Sequence, residues 1–285
     1  MGRVAVRKAQ AGPTDRRDLP REERWTRGDY LRQELLQALV AEGMADEVSH
    51  DRRNVAKKIQ RLVEGDPDAL FGLRFHKRWT FDEVLALVDD AISFSGEKDI
   101  FEGPTLIDPA TVLRSLEAAG DRLALAADRG EQVLIATGHP VGMIQLYMAV
   151  ARELTARSAK LLRPLDGATW NIPQHEHPHR RAIRYLFGVA VFTDRASSYH
   201  THSSDPMERM LEEATPDLVL ADHGFAGAAI QAGVETVCVT DVNDPALLVA
   251  KAEGRTDVVI VMDDNVTPDS YWPCYQAIVS RFPPA

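Results

Sequence analysis

The stretch PDLVLADHGFAGAAIQAGVETVCVTDVNDPALLVAKAEGRTDVVIVMDDN (216–265) decides the fold. It holds three short apolar, β-branched runs, DLVLADHG (217–224), TVCVTD (236–241) and DVVIVMDDN (257–265). Helical segments separate them, Gly224–Ala232 and Pro245–Ala252. Strands that are apolar along their whole length, alternating with helices, predict a parallel sheet covered on both faces. Upstream, EQVLIATG (131–138), AKLLRPL (159–165) and YLFGVAVFTD (185–194) read as further strands, with helices over Val141–Arg157 and Asp205–Ala214.

Before residue 130 the pattern is helical. Leu31, Leu35, Leu36, Leu39 and Val40 form one stripe, and further helices are predicted over Arg53–Val63, Thr80–Ser93 and Asp108–Arg129. Thr80 and Asp108 are placed as N-caps, the second followed by proline at the first helical position. Residues 1–25 are polar and lack a periodic apolar pattern, which predicts a disordered or loosely attached tail. The predicted organisation is a tail (1–25), a helical cap region (26–130) and an α/β domain carrying the site (131–285). The fold class is Rossmann-like, a doubly wound, mainly parallel sheet with an N-terminal helical cap.

Of 285 residues 45% are hydrophobic and 27% charged, the composition of a globular chain, and the formal net charge is −10. Backbone recognition of nucleic acid needs concentrated Lys/Arg, so no nucleic-acid partner is expected. Cys238 and Cys274 form neither a disulfide framework nor a zinc-ribbon spacing. No apolar run approaches 18 residues, and the N-terminus lacks a hydrophobic signal region. A cytoplasmic protein without a membrane partner is expected; homo-oligomerisation is left open.

Seven of the nine histidines lie between His139 and His223, most of them where predicted strands end. In open α/β sheets ligands bind beyond the carboxyl ends of the strands. Those ends read Thr137-Gly138-His139-Pro140, Asp222-His223-Gly224, Asp241-Val242-Asn243-Asp244 and Asp263-Asp264-Asn265, joined by His200-Thr201-His202-Ser203. Mixed imidazole and carboxylate donors suit Zn, Fe or Mn better than Ca. In an extended segment His200 and His202 share a face and can reach one ion. Bland readings stand beside these. Asp244 before Pro245 fits an N-cap as well as catalysis, HEHPH (175–179) fits a loop or lid, and His50 and His76 fit surface or core positions. The dinucleotide fingerprint, the phosphate loop and the Gly-x-Ser-x-Gly elbow are absent.

The segments ATGHPVG (136–142), YHTHSSDPMERML (199–211), PDLVLADHGFAGAAIQAGVETVCVTDVNDPALLVAKAEG (216–254) and VVIVMDDNVTP (258–268) resemble a bacterial family, frequent in actinomycetes, known simply as phosphatase. Arg52-Arg53-Asn54 and LVEGDPDALFGL (62–73) fit its N-terminal part, so the resemblance spans about 45–280. The HEHPH loop and the basic tail depart from it. It implies phosphate-ester hydrolysis, with His139, His202, Asp222, His223, Asp241, Asn243 and Asp244 as the matching residues.

The reading that follows is a metal-dependent phosphatase acting on a small phosphomonoester, of the sugar or nucleoside phosphate type. Divalent metal (Mn, Fe, Zn or Mg) would be held by His200, His202, Asp222 and His223, and two ions about 4 Å apart would explain why so many ligands are supplied. Asp241 and Asp244 would serve as catalytic or further ligating groups, and His139 as ligand or general acid. Arg52, Asn54, Asn243 and the backbone at Gly138 and Gly224 would bind the substrate. The alternatives are a metal-dependent hydrolase or lyase acting on C–N or C–O bonds, and a non-catalytic sensor of a phosphorylated ligand.

Overall fold

The computed structural model describes residues 19–92, 102–172 and 179–284. Its first part contains α1 (Arg21–Arg24), α2 (Arg32–Ala41), β1 (Asp46–Asp51), α3 (Arg52–Glu64), α4 (Pro67–Leu70), α5 (Phe81–Ile92), β2 (Pro104–Ile107) and α6 (Pro109–Arg129). Local chemistry sets these boundaries. The Asp51 side chain accepts the Asn54 N–H at the start of α3, and Gly65 ends that helix in the left-handed region. Asp108 caps α6 with proline following it. Thr80 and Glu83 exchange hydrogen bonds across the first turn of α5, a capping box.

The second part contains β3 (Gln132–Thr137), α7 (Ile144–Thr155), β4 (Lys160–Leu161), β5 (Thr169–Ile172), β6 (His179–Leu186), β7 (Val189–Asp194), β8 (Ser197–Ser198), α8 (Asp205–Glu213), β9 (Leu218–Asp222), α9 (His223–Gln231), β10 (Thr236–Thr240), α10 (Ala246–Ala252), β11 (Val258–Val261) and α11 (Trp272–Val279). The main sheet runs β11-β10-β9-β3-β7-β6-β5, with β4 beside β3 and β8 beside β7. Its β11-β10-β9-β3-β7 portion is parallel, so the sheet is α/β and mostly parallel as expected. Helices α6, α7 and α11 pack together on one side of it, and α8, α9 and α10 on the other.

Three local expectations are corrected. The run 185–194 is not one strand but the two arms of a hairpin. Phe187 and Gly188 both have positive φ, 47° and 90°, the turn that matches the twist of antiparallel strands. The predicted strand 159–165 shrinks to Lys160–Leu161, because Pro164 and the positive φ of Leu165 turn the chain away. The end of the predicted tail is packed: Trp25 is buried, its ring 5.6 Å from that of Tyr275. Residues 1–18, and 175–178 of the HEHPH motif, lie outside the described residues; His179 opens β6.

One apolar core runs through both parts, from Leu39, Ile59 and Val88 to Val133, Val219 and Ile260. Among the described residues no helix is long and apolar enough to cross a membrane.

Candidate active site

The chain leaves β3 toward α7 on one face and leaves the adjacent β9 toward α9 on the other. Such a reversal opens a crevice at the carboxyl edge of the sheet. Thr137, Gly138 and His139 lie there at the end of β3, and Asp222 and His223 at the junction of β9 with α9. His223 has φ +44°, a left-handed conformation that is costly for a non-glycine residue and is characteristic of functional sites.

Two glycines let the backbone crowd this edge. A Cβ on Gly138 would stand 2.5 Å from the Thr201 carbonyl oxygen, and one on Gly224 would stand 2.2 Å from that of His202. The 200–203 segment therefore lies directly against both strand ends, and the Thr201 N–H donates to the Gly138 carbonyl at 3.1 Å. That placement brings four imidazoles together. Ring centroids lie 4.1 Å apart for His139 and His223, 4.4 Å for His139 and His200, and 4.4 Å for His202 and His223.

The carboxylates divide by neighbour. Asp222 accepts hydrogen bonds from Thr137 Oγ1 and the Gly138 N–H, each at 2.6 Å. Its Oδ1 faces His139 Nδ1 at 3.9 Å and His223 Nδ1 at 4.0 Å. The Nε2 atoms look the other way: His139 Nε2 is 3.7 Å from Asp264 Oδ1, and His223 Nε2 is 3.3 Å from Asp244 Oδ2 and 3.7 Å from Asp264 Oδ2. Asp263, by contrast, takes the Ser49 N–H, the Ser49 hydroxyl and the Asn265 N–H, a structural role.

The N-terminal part closes the other side. His50 Nε2 is 3.4 Å from Asp241 Oδ2, and Lys58 Nζ is 3.3 Å from Asp244 Oδ1. Asn243 donates to the Asn54 side-chain oxygen at 2.9 Å, and His202 Nδ1 lies 3.4 Å from Asp68 Oδ1. Phe71 packs edge-on to His202 and tilted against His223.

Burial and neighbouring charge set the protonation. Burial raises Asp241 to about 6 against the pull of His50, and Asp263 and Asp244 add to the rise. Burial and the charges of Asp241, Asp244 and Asp222 push Asp264 well up. For Asp222, burial is outweighed by His139, His223 and Thr137, and its carboxyl is lowered. For Asp244 the same balance is tipped by His223 and Lys58, so that it too is lowered. Desolvation, then the neighbouring imidazoles of His139, His223 and His202, lowers His200 to about 4. His223 is lowered by burial despite Asp244.

Of the residues singled out from the sequence, the structure brings His139, His200, His202, Asp222, His223, Asp241, Asn243 and Asp244 to one edge, with Asn54 reaching them from α3. The Gly138 N–H is taken by Asp222. Arg52 opens α3, its N–H bonded to the Gly103 carbonyl. Asp244 caps nothing: α10 has no side-chain cap, and the carboxylate turns to His223 and Lys58. Sequence reasoning missed His50, Lys58 and Asp68, and did not separate Asp264 from Asp263. For His50 the one available signal was its position two residues before the Arg52-Arg53-Asn54 element.

Two triads could hold a metal ion: His139, His200 and His223, and His202, His223 and Asp244, with the ligand atoms of each triad within 4.8 Å of one another. The donor set fits. His223 is 1% exposed, yet neither ring nitrogen has an aligned hydrogen bond, and His139 Nδ1 and Asp264 Oδ2 are equally unpaired. Buried polar atoms in that state need an explanation, and a cation among them is one.

A family model described as Phosphatase matches residues 30–284. A relative named Phosphatase SCO2771, from Streptomyces coelicolor, is 34% identical over 252 residues, covering 86% of this chain and 93% of the relative.

Proposed function

The chain belongs to the Phosphatase family, and from that premise we propose that it hydrolyses a small phosphomonoester, of the sugar or nucleoside phosphate type, by a metal-dependent reaction with water. The observation that carries the metal dependence is the convergence of four histidines and Asp244 into two ligand triads at the switch point of the sheet. The chemistry that a bound Mn, Fe, Zn or Mg ion supplies is neutralisation of the phosphoryl oxygens and a lower pKa for water.

His139, His200, His202, His223 and Asp244 would supply the metal ligands in this reading. Asp222 orients two of them from behind: its Oδ1 faces the Nδ1 atoms of His139 and His223, so that their Nε2 atoms are turned toward the cluster. Lys58, with Asn54 and Asn243, binds the phosphoryl group from the helical side. The start of α9 at His223 adds the positive end of a helix dipole. The acid that protonates the leaving oxygen is His50. Its side chain is 26% exposed, and Nε2 lies at ion-pair distance, 3.4 Å, from Asp241 Oδ2 without an aligned hydrogen bond, a placement from which Asp241 would orient it as a general acid. His139, turned between Asp222 and Asp264, is better placed to hold the ion than to donate a proton.

The test is phosphate release from a panel of sugar and nucleoside phosphates, with chelator and with each of the four metals restored. Release that chelator abolishes and a metal restores is expected. No release with any of the metals defeats the reading; release that survives chelation removes the metal from it.

A further inference from the structure

We propose that the site holds two cations and that Asp264 bridges them. This rests on the metal-dependent reading above. The two triads share only His223, and an imidazole nitrogen has a single lone pair, so Nε2 of that ring serves one ion. Nε2 lies 3.3 Å from Asp244 Oδ2, which assigns His223 to the set of His202 and Asp244. The other set then keeps His139 and His200 and lacks an oxygen donor.

Asp264 supplies it. Its Oδ1 is 3.7 Å from His139 Nε2 and its Oδ2 is 3.7 Å from His223 Nε2, so the two oxygens of one carboxylate are divided between the two sets. The residue is 4% exposed, and Oδ2 has no hydrogen-bond donor. A buried carboxylate oxygen aimed into a histidine cluster with no donor is a position that a cation would satisfy.

Charge points the same way. Asp222, Asp241, Asp244 and Asp264 are all buried here, and Lys58 is the lysine that reaches them. A crowd of buried carboxylates facing a single lysine is a set that bound cations would offset.

The experiment is equilibrium dialysis of chelator-stripped protein against Mn²⁺, read by elemental analysis and by electron paramagnetic resonance. The wild type is expected to bind about two Mn²⁺ per chain with an exchange-coupled spectrum. Asp264→Asn, folded by circular dichroism, is expected to bind one or fewer, with the spectrum of an isolated ion. One Mn²⁺ in the wild type, or two retained in Asp264→Asn, overturns the proposal. If Asp264→Asn does not fold, His200→Ala, whose ring is exposed, takes its place on the same terms. Phosphate release measured on the same samples keeps the two readings apart. Two bound Mn²⁺ with no turnover of any ester defeats the phosphomonoesterase and leaves the bridge standing; turnover with one Mn²⁺ does the reverse.

Discussion

The two sides of the site are built on different physical terms. The sheet side, from the ends of β3, β9, β10 and β11, is almost wholly buried and carries Asp222, His223, Asp241 and Asp264. The helical side, from β1, α3 and α4, is partly exposed and carries His50, Lys58 and Asp68. Parallel strands in register hold the first set rigidly enough to keep charged groups apart from water, at the expense of stability. The second set faces solvent and supplies countercharge. In the proposed reading one side organises the charge and the other meets the substrate.

His223→Ala is the strongest way to break this contrast. It removes the ring common to both triads, and activity is expected to fall more than ~100-fold, beyond the loss for an outer partner of a ligand. Bound metal should fall with it. Turnover and metal content measured side by side check this, and normal values of both would dissociate the sheet side from the chemistry.

Asp241→Asn should next raise the stability of metal-stripped protein, because the sheet side stores unfavourable charge. Asp241 titrates near 6 when folded, against 3.8 for an ordinary carboxyl. The penalty is absent below pH ~4, grows as pH rises toward 6 and is complete above it, on the order of 3 kcal/mol. Thermal melts in chelator should show a gain for the variant at pH 7 that disappears at pH 4. A gain of equal size at both values would assign the effect to packing.

Lys58→Met has the smallest expected effect. On the helical side it should raise KM about tenfold while kcat changes little, the signature of lost binding by one charged contact. Steady-state kinetics decide the matter; a fall in kcat with KM unchanged would move Lys58 into the chemical step.

The parallel part of the fold was legible because its strands are unbroken apolar runs with helices of 3.6 periodicity between them. The antiparallel wing was not. Its turn at Phe187–Gly188 lacks an Asn-Gly signature, and the run YLFGVAVFTD carries its apolar pattern straight across it. In the site, strand-end residues were legible because the topology dictates that strand ends converge. Asp263 and Asp264 were inseparable in sequence, and they diverge because adjacent residues point apart: one caps the Ser49 segment, the other faces the histidines. Asp244 read equally well as a cap, and only the absence of a cap bond in α10 decided for His223.

The sequence by itself determined that a parallel α/β sheet would end in histidines and carboxylates, since periodicity, capping and strand-end chemistry are local properties. Only the tertiary structure decided which of them are partners. Lys58 and Asp244 are 186 residues apart in the chain, and closing such a loop depends on the shared core, not on any pattern near either residue. The Nδ1 and Nε2 sides of His139 and His223 were decided at the same level, because the direction of a ring is set by the side chains that pack around it.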